Sequence, residues 1–263
     1  VSPRKQTPTS PEAPVQTAED LLADYRAKRV PDTTPEPIGS VGPGAGRAGV
    51  FVVHEHKATR HHWDLRLEID GVLCSWAVPR EPSMDPDDKR LAVKVENHPK
   101  EYIDFEAVIP PGNYGAGPMI VWDRGLFVPI GDARQSMLDG EIKFELRGYK
   151  LRGAFTLVHT GKGRRGRGSG HGSDHWLLIK KRDAWAEAFL ATGQPLSESS
   201  ILSGLTIDEL QGGAERMAAL RAELAARGLP RKTIDPAAFE PMLCHTADAP
   251  FSSPDWIFEL KYD

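Results

Sequence analysis

Four of the nine histidines fall between positions 54 and 62, in HEHKATRHHWDLRLEID, and Asp64 and Arg66 follow at once. Along HWDLRLEID the odd positions are Trp63, Leu65, Leu67 and Ile69, while the even positions are His62, Asp64, Arg66, Glu68 and Asp70. Side chains alternate faces along a strand, so the two sets point in opposite directions. His62 and Asp64 then stand about 7 Å apart at Cα on one face, close enough for an imidazole and a carboxylate to meet on one metal ion. A third ligand would come from a neighbouring strand, with His56 and His54 the nearest candidates. Two histidines and one carboxylate leave positions open on the ion for water and substrate, as a catalytic site needs. Arg66 on the same face suits a site that grips phosphate, because a guanidinium beside a divalent cation is costly unless both hold the same anion. A second polar cluster, VENHPKEYIDFE, sets His98 and Tyr102 four residues apart. By itself His-x-Asp also fits the polar outer face of a half-buried strand, and with a distant histidine it fits the iron triad of β-barrel oxygenases.

The elements that must carry these residues are strands. From Gly49 to Arg182 short alternating or apolar runs are divided by Gly, Pro and Asp: GVFVVHEH, HWDLRLEID, VLCSWAVP, RLAVKVE, PMIVWDRG, EIKFELRG, KLRGAFTLVHT and HWLLIKKR. That pattern predicts about eight strands with no helical segment between them, joined by turns such as Asp70-Gly71. A mainly β, compact antiparallel barrel with a few short flanking helices is expected, not a parallel α/β sheet. Among the flanking helices, AEDLLADYRAKR at 18–29 has Leu21, Leu22 and Tyr25 near one face and is broken by VPDTTPEP into an extended arm. DAWAEAFLATG at 183–193 has Asp183 placed as N-cap and Gly193 as its stop. TIDELQGGAERMAALRAELAARG at 206–228 is a connector-like helix weakened by Gly212 and Gly213. GKGRRGRGSGHGSD at 161–174 is a Gly- and Arg-rich insertion that suits either a solvated loop or contact with a polyanion.

Composition bounds the rest. With 263 residues, 40% hydrophobic and 27% charged, the chain can bury a sizeable core, and a net charge of −4 excludes a uniformly basic nucleic-acid coat. Cys74 and Cys244 belong to no metal-ligand spacing and form no disulfide framework. VSPRKQTPTSPEAPVQ has no apolar leader, and no apolar run approaches the roughly 18 residues of a membrane helix. A soluble, cytoplasmic chain with no membrane contact is expected.

At this point the residues resemble a known family. HEHKATRHHWDLRLEID, with TPEP at 34–37, SWAVP, HPKEY, GNYGAG and WLLIKKRD, is similar to the 3′-phosphoesterase domain of bacterial DNA ligase D, the ATP-dependent ligase of non-homologous end joining, over roughly residues 25–185. The resemblance implies a compact β-barrel that uses Mn2+, or another divalent transition metal, to trim the 3′ ends of a DNA primer. It would act as 3′-ribonuclease and then 3′-phosphatase on primer-template or RNA-tailed ends, during double-strand break repair. It puts the metal on His56, His62 and Asp64 and the catalytic phosphate contacts on Arg66, His98 and Tyr102. Further phosphate- or DNA-binding positions fall on Arg29 and Glu36 of the arm, on Arg80 where relatives often carry Lys, and on Arg90. Two departures are Val30, where many relatives have an acid after the arm arginine, and His54, where many have Gln. His98 could stabilise charge beside Arg66 or serve as general acid, and the sequence leaves both open. A non-catalytic DNA-end binding module, giving salt-sensitive binding without turnover, is a further alternative.

The resemblance also divides the chain: 1–17 a disordered linker, 18–195 the barrel domain with its arm, 196–235 a helical linker, and 236–263 the truncated start of an ATP-dependent ligase domain. WIFELKYD at 256–263 is similar to the nucleotidyltransferase motif whose lysine attacks ATP, which makes Lys261 that nucleophile. Only Tyr262 and Asp263 follow it here, so no adenylation is expected of this chain. The resemblance implies a monomer associated with the bacterial nucleoid, whose partners would be the ligase and polymerase domains of a parent polypeptide.

Overall fold

The computed structural model describes residues 20–42, 48–161 and 174–227. The insertion at 162–173, the linker ahead of residue 20 and the ligase-like end with Lys261 lie outside the described residues. Two compact units divide the chain, Val1–Ala219 and Leu220–Asp263.

The first unit is built on nine strands: β1 (Gly49–Lys57), β2 (His61–Ile69), β3 (Val72–Val78), β4 (Lys89–Lys94), β5 (Ala107–Ile109), β6 (Gly117–Pro129), β7 (Glu141–Gly148), β8 (Arg152–His159) and β9 (His175–Lys180). Every pairing is antiparallel, in the order β1-β2-β3-β4-β9-β8-β7-β6, and β6 pairs back onto β1 to close an eight-stranded barrel. β5 adds to the end of β6 beside that ring. Asp70 and Gly71 make the β2–β3 turn with φ of 54° and 78°, the left-handed pair that a two-residue hairpin requires. Gly71 is obligatory there, because a Cβ would come within 2.0 Å of the Gly42 carbonyl.

The expected all-β barrel is the fold observed, but the expectation of no helix between its strands is corrected. Between β6 and β7 lies α2 (Ala133–Asp139), begun by Asp132, whose carboxylate accepts from Gln135 N, and ended by Gly140 in the left-handed conformation. ARQSMLD buries no residue, so it has no apolar stripe for periodicity to detect, and only its caps mark it. A short 3-10 turn at Lys100–Asp104 and the three-residue β5 are likewise too brief for a pattern. Downstream, α3 (Ala184–Thr192) has the anticipated Asp183 cap, with Ala186 N donating to it, and Gly193 stop. α4 (Ile207–Ala226) runs through Gly212 and Gly213. Among the described residues no helix is long and apolar enough to cross a membrane.

Alternation along β1 to β3 sorts side chains into two separate cores. Phe51, Val53, Leu65, Leu67, Cys74 and Trp76 fill the barrel interior with Phe144 and Phe155 from the opposite wall. On the outer surface of the same strands Val52 and Leu73 join Tyr102, Phe105, Ile109 and Met119 in a second cluster. A short helix, α1 (Ala23–Ala27), brings Tyr25 of the arm into it, fully buried, with its hydroxyl donating to the Pro37 carbonyl at 2.6 Å. The outer wall is therefore roofed by the arm and the segment from His98 to Ile109, and is not open to solvent as the polar face of a half-buried strand would be. Tyr25→Ala removes the largest apolar contact of the roof and is expected to cost about 3–5 kcal/mol. Urea unfolding checks this, and an unchanged midpoint would mean that the arm is no part of the folded unit.

Candidate active site

Antiparallel register assembles the site under that roof. β1 faces β2 with His56 opposite His62, His54 opposite Asp64 and Val52 opposite Arg66, and β3 sets Ser75 opposite Arg66. His98 is held at the edge of β3 by a bridge with Leu73, their N–H and C=O groups exchanging bonds of 2.8 and 2.9 Å. The polar residues of these alternating positions are thus neighbours in two directions, along a strand and across it.

His56, His62 and Asp64 bring one donor atom each within 4.8 Å of one another, and among the described residues they are the one such group. His56 Nδ1 is 3.8 Å from Asp64 Oδ2, and His62 Nε2 is 3.6 Å from Asp64 Oδ1. The far nitrogen of each ring is occupied. His56 Nε2 donates to the Gly115 carbonyl and His62 Nδ1 to the Arg60 carbonyl, both at 2.8 Å. A carbonyl only accepts, so each ring must carry its proton on that side, and the lone pairs of His56 Nδ1 and His62 Nε2 turn toward Asp64. Two imidazole nitrogens and a carboxylate oxygen, with tautomers fixed by backbone carbonyls, are the donor set of a divalent transition-metal site. Gly115 supplies its carbonyl from a residue with φ of 74°.

Arg66 is 2% exposed and ties this triad to the rest. Its Nη2 donates to Asp64 Oδ2 at 3.0 Å, Nη1 to Ser75 Oγ at 3.0 Å and Nε to His54 Nδ1 at 3.3 Å, while Nη1 also lies 2.7 Å from His98 Nδ1, itself 3.0 Å from the Glu96 carbonyl. Nε and Nη1 face protein groups, which leaves one N–H on Nη2 for an incoming oxygen. Asp64 is buried, which by itself would raise its pKa, but Arg66 together with His56 and His62 holds the carboxyl well below its usual range. For His62 burial acts the other way and opposes protonation, yet contact with Asp64 outweighs it and raises that pKa.

His98 lies between two guanidinium groups, with Nε2 3.4 Å from Arg29 Nη2. Burial first, and then Arg66 and Arg29, hold its pKa well below the ordinary value. The neutral imidazole is therefore the resting form of His98. Tyr102, buried and edge-on to His98 at 4.9 Å, donates its hydroxyl to Glu36 Oε1 at 2.7 Å. Glu36 also accepts from Arg29 Nε at 2.8 Å and Thr34 Oγ1 at 2.9 Å, so the arm closes on the site through one buried carboxylate.

The sequence-chosen residues thus divide. His56, His62, Asp64, Arg66, His98, Tyr102, Arg29 and Glu36 line one cavity of about 380 Å³. Arg80 and Arg90 stand outside that lining: Arg80 is exposed, and Arg90 is spent on the Glu81 carbonyl and Asp88, fixing the turn between β3 and β4. Val30 is 62% exposed beside Arg29. His54 is fully buried behind Arg66, outside the donor triad, with Nδ1 taken by Arg66 and Nε2 without a hydrogen-bond partner. Ser75, Glu96, Tyr114 and Gly115 were not singled out from sequence. Ser75 had a usable signal, a hydroxyl alternating with Cys74 and Trp76 along VLCSWAVP.

Residues 54–159 match the family described as the DNA Ligase D 3′-phosphoesterase domain. The barrel belongs to that family. The chain is 42% identical over 246 residues, 92% of its length, to the multifunctional non-homologous end joining protein LigD of Pseudomonas aeruginosa. To the multifunctional non-homologous end joining DNA repair protein LigD of Mycobacterium tuberculosis it is 42% identical over 144 residues, 54% of this chain. The corresponding protein of Mycolicibacterium smegmatis is 42% identical over 182 residues, 67% of this chain. The chain spans 28%, 18% and 22% of these three relatives, so it corresponds to one part of larger proteins.

His98 and His54 of this phosphoesterase barrel give its stability a pH dependence. Burial and Arg66 depress both pKa values in the folded state. The unfolded chain, with histidine pKa near ~6.5, takes up protons first as pH falls. Stability is therefore full above about pH 6.5 and declines below it, by up to ~1.4 kcal/mol per pH unit for each histidine. Urea midpoints at a series of pH values should show this slope, and His98→Asn should reduce it; an unaltered slope would clear His98 of the role.

Proposed function

We propose that the chain is a metal-dependent phosphoesterase acting on DNA 3′ ends in non-homologous end joining, removing a terminal ribonucleoside and then the remaining 3′-phosphate. The observation that carries this is the triad of His56, His62 and Asp64, lone pairs turned inward by fixed tautomers, directly beside Arg66 and His98. An iron oxygenase would share the triad; two guanidinium groups and an imidazole converging beside it match the several oxygens of a phosphate. The chain's relatives, named as end-joining proteins, supply the context, in which ligase and polymerase portions of a longer polypeptide would be its partners.

Charge bookkeeping supports a divalent cation. The cavity is lined by Arg29, Arg60 and Arg66 against Glu36, Asp64 and Glu96, which cancel. A phosphate carrying about two negative charges therefore meets a neutral site unless a cation is present to match it. His56, His62 and Asp64 would hold that ion; their mixed nitrogen and oxygen donors suit a divalent transition metal, and the family resemblance makes manganese the choice. When bound, it supplies Lewis acidity toward a phosphate oxygen. The chain's own groups do the rest. Arg66 offers its remaining Nη2 hydrogen to a non-bridging oxygen, held in place by Asp64, Ser75 and His98 so that nothing reorganises as charge develops. His98 contributes as a neutral partner of Arg66, and Tyr102 must release Glu36 before its hydroxyl can turn to substrate. Arg29 adds a second guanidinium from the arm, oriented by Glu36.

The decisive experiment gives the chain manganese and a 5′-labelled primer-template ending in one ribonucleotide. Loss of a nucleoside followed by loss of phosphate is expected, with His56→Ala reducing both by at least about a hundredfold. Salt-sensitive binding with no product would instead make the protein a DNA-end binding module.

A further inference from the structure

Tyr114 is the one exposed aromatic side chain that lines the cavity among the described residues; the others, Tyr149 and Trp185, lie elsewhere. It is 51% exposed, although Gly115, the next residue, touches His56 through its carbonyl. Its position is imposed from both sides of the turn. Asn113 is clasped to the arm, accepting from Thr33 Oγ1 at 2.7 Å and donating to the Thr33 carbonyl at 2.8 Å. Lys28 Nζ sits 4.8 Å from the centre of the Tyr114 ring, and Arg29 Cζ 5.7 Å from it. The ring is thereby fixed by cations of the arm yet half open to solvent, at the lip of a cavity whose floor is polar.

An exposed, immobilised aromatic beside a phosphate site has the features of a stacking surface for a nucleobase or its sugar. Every base has a π-face, and stacking on an aromatic side chain tolerates any sequence. Arm cations against the ring also suit the approach of a polyanionic strand. We propose that Tyr114 is the platform on which the terminal nucleoside packs, and that it gives the site its preference for base-bearing ends over other phosphoesters. The proposal rests on the phosphoesterase reading and deepens it, by assigning to one residue the recognition of the group attached to the phosphate. Tyr114 is a specificity residue in this scheme and takes no part in bond breaking.

The test compares two primer-templates in manganese, one ending in a base-bearing nucleoside 3′-phosphate and one in an abasic sugar 3′-phosphate. The ratio of their kcat/KM values is the readout. Tyr114→Ala is expected to lower that preference about tenfold, the scale of one base stacked on one aromatic, and Tyr114→Trp to retain it. An equal loss on both ends in Tyr114→Ala would overturn the proposal, because it would mean that the residue acts structurally through Gly115 and His56. An unchanged ratio would overturn it as well. Fluorescence anisotropy of the same two ends separates this from the function itself. If the wild-type chain turns over neither end, the phosphoesterase reading fails, while a binding preference lost in Tyr114→Ala and kept in Tyr114→Trp upholds the platform. Absence of any such preference removes it.

Discussion

The structure turns on a buried guanidinium. Arg66 is placed on the outside of a barrel strand and then covered, so its charge has lost water and must be satisfied by protein. Asp64 neutralises it, and Ser75, His98 and His54 take the remaining directions. Each of those partners is constrained in turn. Asp64 is kept ionised and aimed, His98 is kept neutral, and His54 is held as an acceptor with no freedom to act as a metal ligand. Removing Arg66 would leave a buried carboxylate unpaired at the centre of the donor triad, which is why the metal and phosphate halves of the site cannot be considered separately.

The two faces of β2 were legible in HWDLRLEID because a period of two is the strongest statement a strand makes. Trp63, Leu65, Leu67 and Ile69 turn toward the barrel interior, and His62, Asp64 and Arg66 toward the site. The strand-to-strand register was not legible: that His56 and not His54 stands opposite His62 depends on the turn between β1 and β2, and came from the family resemblance. Nor could alternation show that the polar face would be roofed. Tyr102 belongs to a segment too short to carry periodicity, and the apolar face read for Tyr25 does not say which wall it covers; the burial of both is decided by packing against strands distant in sequence. Backbone groups were the least visible. The carbonyls of Gly115 and Arg60 fix both metal-facing tautomers, yet a carbonyl is common to every residue and leaves no mark on the sequence. α2 was missed for a similar reason, since it buries nothing.

The arm changes what counts as the site. Arg29 and Glu36 lie far from the histidines in sequence and pair with each other at 2.8 Å within the cavity wall. With Tyr25 packed against His98 at 4.9 Å, the arm contributes charge, hydrogen bonding and apolar cover at once. Val30, by contrast, faces solvent beside them, so the place where many relatives carry an acid contributes no charge to this pocket.

Closure of the barrel by β1 and β6 has a consequence for how such a protein can diverge. In the ring of eight, β8 stands four strands away from β2 and β9 three, so the connection between β8 and β9 joins strands that pair with neither β1 nor β2. A length change there does not transmit to β1 to β3, because a slip of their pairing would require every neighbour around the ring to slip with them. The Gly- and Arg-rich stretch at 161–174 occupies that connection. The hairpin of β1 and β2 can thus stay fixed under selection while the connection between β8 and β9 gains or loses sequence.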